Sequence, residues 1–367
     1  MLKLMRAPAK YVQGKDALFE TYENTKNLGS SFLFVCSRSG YKIAKPKIEK
    51  SFGNTPAKIR FEVFNGISST GEIERMRKIV KENKIEVVGA IGGGSAIDTA
   101  KATAYYENLP VVIMPTVAAT DAPCTGLSVI YNDDGSFCKY IFYPKNPETV
   151  IVDSSIIAAA PVKFLVAGMG DALGTYFEAR ACLKTNSPSL ENGGITKSAM
   201  ALCKLCYETL LADGYKAKLA VEQSILTPAV ESIIEANTYL SGVGADNGGL
   251  AVSHSVYNGF TALEECESTM HGNLVAFGTI AQLIIENAPL EEIAEVIEFC
   301  ISVGLPVTLA QLGVKDVNRV HIAAEKACMT GESIHNMLGD VTPEELYNSL
   351  LAADTLGKTF LKTGKVL

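Results

Sequence analysis

The 367-residue chain carries only four histidines: His254, His271, His321 and His335. His254 stands in Ala251-Val252-Ser253-His254-Ser255-Val256-Tyr257-Asn258-Gly259, and His271 in Thr269-Met270-His271-Gly272-Asn273. Both surroundings are apolar and built from small residues. Asp171, in Gly168-Met169-Gly170-Asp171-Ala172-Leu173-Gly174-Thr175, opens an apolar helical run. A carboxylate buried there without a partner is costly, so it wants a cation. One carboxylate and two imidazoles would supply three ligands and leave a fourth position open, the pattern of a catalytic zinc. The same residues also fit a plainer reading, with hydrogen-bonded core histidines and Asp171 as a helix N-cap. Spacing alone leaves both readings open.

A second group of residues suits a phosphate. Ile91-Gly92-Gly93-Gly94-Ser95-Ala96-Ile97-Asp98 lies between an apolar strand and a helix. Glycines let the backbone approach a ligand, and a helix N-terminus offers unpaired N–H groups. Ser95 can cap the helix or donate a hydroxyl bond. The segment departs from the G-x-G-x-x-G fingerprint, and any tight strand-to-helix turn could use it. The loop from Met114 to Gly126 is rich in small hydroxyl residues and holds one carboxylate, Asp121. Following the next strand, it would lie at the same carboxyl edge of the sheet, where ligands of open α/β sheets bind.

These residues need elements to position them. Strands are expected at 31–36, 61–64, 86–91, 110–115 and 149–153, separated by helical segments, with a hairpin turn at Asn132-Asp133-Asp134-Gly135. Strands spaced by helices imply parallel crossovers. From Pro161 onward, apolar-periodic helices dominate, among them 171–179, 197–212, 217–241 and 291–303. The expected organisation is an α/β dinucleotide-binding domain over 1–160 and an all-helical metal-binding domain over 161–367.

Composition narrows the function classes. Hydrophobic residues make up 47% and charged residues 20%, which is ordinary for a globular chain. The net charge of −7 argues against nucleic acid or an anionic membrane surface as partner. The nine cysteines form an odd set, and the lone CxxC at Cys203 and Cys206 lies in an apolar helical stretch with no second pair. Buried reduced thiols suit a cytoplasmic protein. No signal-like stretch opens the chain, and no run of 18 apolar residues occurs.

Taken together, the segments resemble the glycerol dehydrogenase branch of the iron-containing (group III) alcohol dehydrogenases. The match runs through Pro8-Ala9-Lys10-Tyr11-Val12-Gln13-Gly14, Gly92-Gly93-Gly94 with Asp98-Thr99-Ala100-Lys101, Pro115-Thr116, and Thr120-Asp121-Ala122-Pro123. It continues through Leu127 to Tyr131, Asp171-Ala172-Leu173, His254, Asn258 to Leu263, His271-Gly272 and Gly331 to Asn336, in family order along nearly the whole chain. The resemblance implies a dehydroquinate synthase-like fold with the active site in the cleft between its domains. It implies metal ligands at Asp171, His254 and His271, and a substrate contact at Asp121. Nucleotide positions are implied at Ser37, Gly94, Ser95, Asp98, Thr116, Ala119, Thr125, Leu127 and Tyr131, beside Gly93 of the glycine loop. The activity implied is NAD(P)-dependent reversible oxidation of a small polyol, glycerol to dihydroxyacetone, by a homo-oligomer, octameric by likeness. Other readings on this fold are a glycerol-1-phosphate dehydrogenase, a dehydroquinate synthase, and a non-catalytic nucleotide-binding module.

Three departures stand out. The family has an acid where Ser37 stands, often Lys at Ser95, and often a hydroxyl residue at Ala119. An acid at the end of that strand favours NAD by binding the ribose hydroxyls and repelling a 2′-phosphate. Ser37, followed by Arg38 and Ser39, keeps NADP open beside NAD. The iron-using relatives carry a fourth ligand, His, one turn after the Asp. Thr175 stands there and favours Zn2+.

Overall fold

The computed structural model describes residues 1–364. Contacts divide the chain into two compact units. One comprises Arg6–Phe164 with Ala220–Gly242; the other comprises Met1–Met5, Leu165–Leu219 and the chain from Val243 onward. The division is therefore not two consecutive blocks. A segment expected with the helical half, 220–242, clusters with the sheet, and the first five residues cluster with the helices.

The sheet unit is built on β1 (Tyr11–Gly14), β2 (Ser31–Cys36), β3 (Lys58–Val63), β4 (Val87–Gly92), β5 (Val111–Pro115) and β8 (Thr149–Asp153). Their order across the sheet is β1-β8-β5-β4-β2-β3, and every pairing is parallel. The central strands β4, β5 and β8 are buried at every residue, as strands covered on both faces must be. Phe32, Phe34, Ile91, Met114 and Ile151 form the core on one face. Helices α1 (Arg38–Phe52), α2 (Thr70–Glu82) and α3 (Gly94–Glu107) follow β2, β3 and β4. The expected hairpin forms from β6 (Leu127–Tyr131) and β7 (Phe137–Phe142), turning at Gly135 with φ +87°.

Strand order places the ligand edge. The chain leaves β2 for β3 on one side, then returns to β4 on the other, so the carboxyl ends of β2 and β4 flank a topological switch point. Cys36 pairs with Ile91 and Gly92 with Pro115, so Ser37, Gly93 and Thr116 all emerge at this one edge. The register continues past the strands: Ser37 N donates to Ile91 O at 2.8 Å, and Thr116 N to Gly92 O at 3.1 Å.

The helical unit contains most of α4 (Val162–Thr185), then α5 (Val252–Phe260), α6 (His271–Ile285), α7 (Val320–Ala327) and α8 (Pro343–Thr363). α5 packs on α6 and α7, and α6 on α8. Two helix expectations are corrected. Asp171 lies well inside α4 rather than at its start, which removes the N-cap reading. The helix expected to end at Ala212 runs on from Lys197 to Glu222. Gly214 does not stop it; a Cβ there would stand 2.8 Å from Phe299 Cε2, so this glycine serves close packing. The break falls instead at Ser224, with φ +54°, before Thr227 caps a new helix at Pro228.

Candidate functional site

The helical unit assembles a cluster of one carboxylate and two imidazoles by bringing backbones unusually close. A Cβ on Gly170 would stand 2.3 Å from Gly272 O, and one on Gly272 only 1.7 Å from Ala167 O. No side chain fits at this crossing of α4 and α6, which sets His271, the first residue of α6, beside Asp171. α5 approaches in the same way, since a Cβ on Gly278 would meet Ser253 O at 2.7 Å. The outcome is His271 Nε2 at 2.9 Å and His254 Nε2 at 3.4 Å from the same Asp171 Oδ1. One donor atom from each of the three residues lies within 4.8 Å of the others.

Asp171 is 1% exposed, the His254 side chain 14% and that of His271 26%, so His271 is the most exposed of the three. Burial pushes the Asp171 carboxyl up, yet His271 and His254 beside it outweigh burial and hold it well below the usual carboxylate range. Burial likewise works against a charged His254, but Glu178 and Asp171 override it and raise its pKa well above that of an ordinary imidazole. Both shifts arise from the mutual approach of these carboxylates and imidazoles. Donors bound at about 2.0–2.1 Å to one tetrahedral ion stand roughly 3.3 Å apart, close to the 2.9 and 3.4 Å from Asp171 Oδ1 to the two imidazoles. The donor set therefore fits a divalent ion with one position left open.

The remaining histidines stand elsewhere. His321 stacks on Tyr347 at 3.5 Å between ring centroids. His335 is exposed, with Nε2 at 3.1 Å from Met329 O. Its motif has a scaffold role: Ser333 Oγ donates to Ala251 O at 2.7 Å and Asn336 Nδ2 to Leu250 O at 2.9 Å, bracing the entry to α5. Thr175 is buried one turn after Asp171, where its methyl would meet a Cβ on Gly244 at 2.7 Å.

In the sheet unit, Gly93 is the N-cap of α3 and Ser95 is exposed in its first turn. A Cβ on Gly93 or Gly94 would come no nearer than 3.4 Å to Val117 or 3.9 Å to Thr120. Packing does not demand glycine here; an approaching ligand would. Ser37 caps α1 by accepting from Gly40 N at 3.0 Å, and Arg38 beside it is exposed.

The second loop is tied down by a lysine that sequence reasoning left without a role. Lys101, 3% exposed, donates to Ala122 O at 2.6 Å, Thr125 O at 2.7 Å, Thr125 Oγ1 at 3.2 Å and Leu127 O at 3.2 Å. Asp98, one turn earlier, accepts from Val129 N at 3.3 Å; burial pushes its carboxyl up to about 6 against the pull of Lys101. Asp98, Thr125 and Leu127 thus form a seam under the loop. Ala118 O, next to Ala119, accepts from Asn237 Nδ2 at 3.0 Å. Asp121 is partly buried, with its carbonyl accepting from Cys124 N at 3.1 Å. Tyr131 N donates to Ser68 O at 3.0 Å, at the end of β6.

Comparison with known proteins places the chain among relatives over nearly its whole length. Residues 8–154 match the family model described as "Iron-containing alcohol dehydrogenase". Over 98% of its length and all of the relative, the chain is 49% identical to a glycerol dehydrogenase of Citrobacter freundii. The chain belongs to the iron-containing alcohol dehydrogenase family, in its glycerol dehydrogenase branch. Its fold matches the crystal structure of a probable glycerol dehydrogenase from Sinorhizobium meliloti 1021 with TM-score 0.92 and 39% identity, covering 97% of this chain and 99% of that one. A relative in Halobacterium salinarum, 39% identical over 98% of this chain and 99% of its own, is a glycolaldehyde reductase. This membership makes the chain an oxidoreductase with the family's two-part architecture. Among the described residues no helix is long and apolar enough to cross a membrane.

Several residues at the site escaped sequence reasoning. Glu178, Gln282 and the Gly170–Gly272 crossing are among them. The signal available for Glu178 was an acid two helical turns after Asp171 in an otherwise apolar stretch.

Proposed function

We propose that the chain oxidises a small vicinal diol reversibly, glycerol to dihydroxyacetone, with a nicotinamide dinucleotide as hydride acceptor. We propose further that Asp171, His254 and His271 hold one zinc ion. The observation that carries the reading is this cluster, closed to within 4.8 Å, in a chain 49% identical to a glycerol dehydrogenase. A bound zinc would supply Lewis acidity toward a substrate hydroxyl, lowering its pKa. Hydride transfer moves two electrons without a redox change at the metal, so zinc suffices, and Thr175 adds no imidazole where a fourth ligand would stand.

The chain's own residues do the rest. Gly93, Gly94 and Ser95 at the start of α3 offer N–H groups and a hydroxyl to the dinucleotide diphosphate. Thr116 and Ala119 line the neighbouring loop, which Lys101 holds in shape through Thr125 and Leu127. Asp121 accepts a hydrogen bond from a substrate hydroxyl and orients it. NAD is the family default. At Ser37 no carboxylate repels a 2′-phosphate, and the exposed Arg38 next to it supports the reading that NADP is accepted at least comparably.

Steady-state kinetics test the reading, with glycerol, 1,2-propanediol, 2,3-butanediol, glycerol 1-phosphate and glycolaldehyde, each with both cofactors, after chelation and metal return. Glycerol should show the highest kcat/KM, restored by zinc. Asp121→Asn should lower it about 10- to 100-fold, the worth of one charged hydrogen bond, with dinucleotide affinity within twofold. Preference for glycerol 1-phosphate, or full turnover after chelation, would overturn the proposal. Light scattering on the same preparation reads the homo-oligomeric assembly that completes it.

A further inference from the structure

The entry to α5 poses an accounting problem that two side chains from neighbouring helices solve. Ala251 at its N-cap position has no side-chain acceptor, and the first turn is buried. Its four free N–H groups nevertheless all find partners. Val252 N and Ser253 N donate to Gln282 Oε1 at 3.2 and 3.3 Å. Ala251 N and His254 N donate to Glu178 Oε1 at 2.8 and 2.9 Å. The other oxygen of the same carboxylate, Glu178 Oε2, lies 2.6 Å from His254 Nδ1. Glu178 is fully buried.

We propose that Glu178 is a positioning residue for the metal site, holding both the backbone and the ring of His254. The proposal rests on the metal reading above. Each of its oxygens has a separate task. Oε1 caps α5 from a neighbouring helix, fixing where the residue starts. Oε2 accepts a hydrogen bond from Nδ1–H, which leaves the lone pair on Nε2, the nitrogen aimed at Asp171. An imidazole whose outer nitrogen is held by a carboxylate is locked in tautomer and rotation and made a better donor. Placement on α4 gives the arrangement its rigidity: Asp171 and Glu178 lie two turns apart on one helix face, so one rigid element carries both a ligand and the brace of another ligand. Gly174 between them makes room, since a Cβ there would stand 3.3 Å from both Glu178 Oε2 and Ser253 Cβ. With Asp171 and Glu178 each contributing one negative charge, a divalent ion brings the buried site to neutrality.

Glu178→Gln separates this role from simple capping. The amide oxygen can still accept from Ala251 N and His254 N, keeping the cap. Its NH2 group then faces Nδ1 and can only donate, which forces the lone pair onto Nδ1 and the proton onto Nε2. The experiment is zinc binding to metal-free protein in competition with a chelator. One zinc per chain is expected in both proteins, with affinity in Glu178→Gln weaker by about 10- to 100-fold. Thermal unfolding of the metal-free variant, followed from pH 6 to pH 9, should approach wild type as pH rises and His254 loses its charge in both proteins. Zinc affinity within twofold of wild type would overturn the proposal and leave Glu178 a cap. His271→Ala is the control for the underlying reading: if it holds zinc as the wild type does, the metal site itself is misassigned. If only Glu178→Gln is unaffected, the ligand set stands and the bracing role falls. Should the variant fold poorly, 15N-imidazole NMR of the zinc-loaded wild type, with four histidines to resolve, decides the matter. His254 should show a protonated Nδ1 and a metallated Nε2, and the reverse assignment would overturn the proposal.

Discussion

Replacing Gly94 by alanine separates the two reasons a glycine can occupy a loop. Gly94 is the first residue of α3, and a Cβ built on it would find nothing nearer than Thr120 Oγ1 at 3.9 Å, an ordinary contact. The protein therefore gains nothing from glycine at this point. In a helix, alanine is better than glycine by about 0.5–1 kcal/mol, so the free protein should be as stable as wild type or up to about 1 kcal/mol more so. For domains of this size that is an upward shift of at most about 2–4 °C. In the proposed dinucleotide site, the added methyl would occupy the space through which a diphosphate oxygen would reach the α3 N–H groups. Losing one charge-assisted hydrogen bond costs about 1.5–3 kcal/mol, which is about 10- to 100-fold in dinucleotide affinity. Fluorescence titration with the reduced dinucleotide and a thermal melt of the free protein measure both arms. Affinity within twofold of wild type would refute the placement of the diphosphate. A melt lowered by several degrees would refute the claim that the space is open.

Two further outcomes follow from the geometry. In Gly272→Ala, a Cβ lying 1.7 Å from Ala167 O must retreat by roughly 1.5 Å to reach normal contact, taking the start of α6 and His271 away from Asp171. A loss of at least about 1–3 kcal/mol, read as a lowered melting temperature, should come with reduced metal content; wild-type values for both would refute the crossing. Asp98 offers a pH test: folding raises its pKa from 3.8 to about 6, so its favourable contribution is complete below pH 3.8 and is lost as pH rises through about 6. Two units correspond to at most about 3 kcal/mol, so Asp98→Asn should gain stability relative to wild type between pH 4 and pH 7 by up to that amount. A difference independent of pH, measured by denaturant unfolding at both values, would contradict it.

Local chemistry made much of this protein legible from sequence alone. The apolar runs of β2, β4, β5 and β8 read as strands covered on both faces, and the helical segments that follow β2, β3 and β4 imply parallel crossovers. The register that puts Ser37, Gly93 and Thr116 at one edge follows from that alternation. Asp171, His254 and His271 were visible as polar groups in apolar settings. Their partnership was not, because a helical pattern records which face is buried but not which helix covers it. That choice was made at Gly170 and Gly272, where two backbones touch. Segment 220–242 joined the sheet unit for the same reason: its apolar positions would suit either core, and only the folded chain selects one. Lys101 and Glu178 are the clearest cases. Each is a charged residue in a buried helix whose partners are mostly backbone groups, carbonyls for the lysine and N–H groups for the glutamate. Backbone groups are the same at every residue and leave no mark in the sequence, so these bonds became visible only when tertiary structure brought the loops to them.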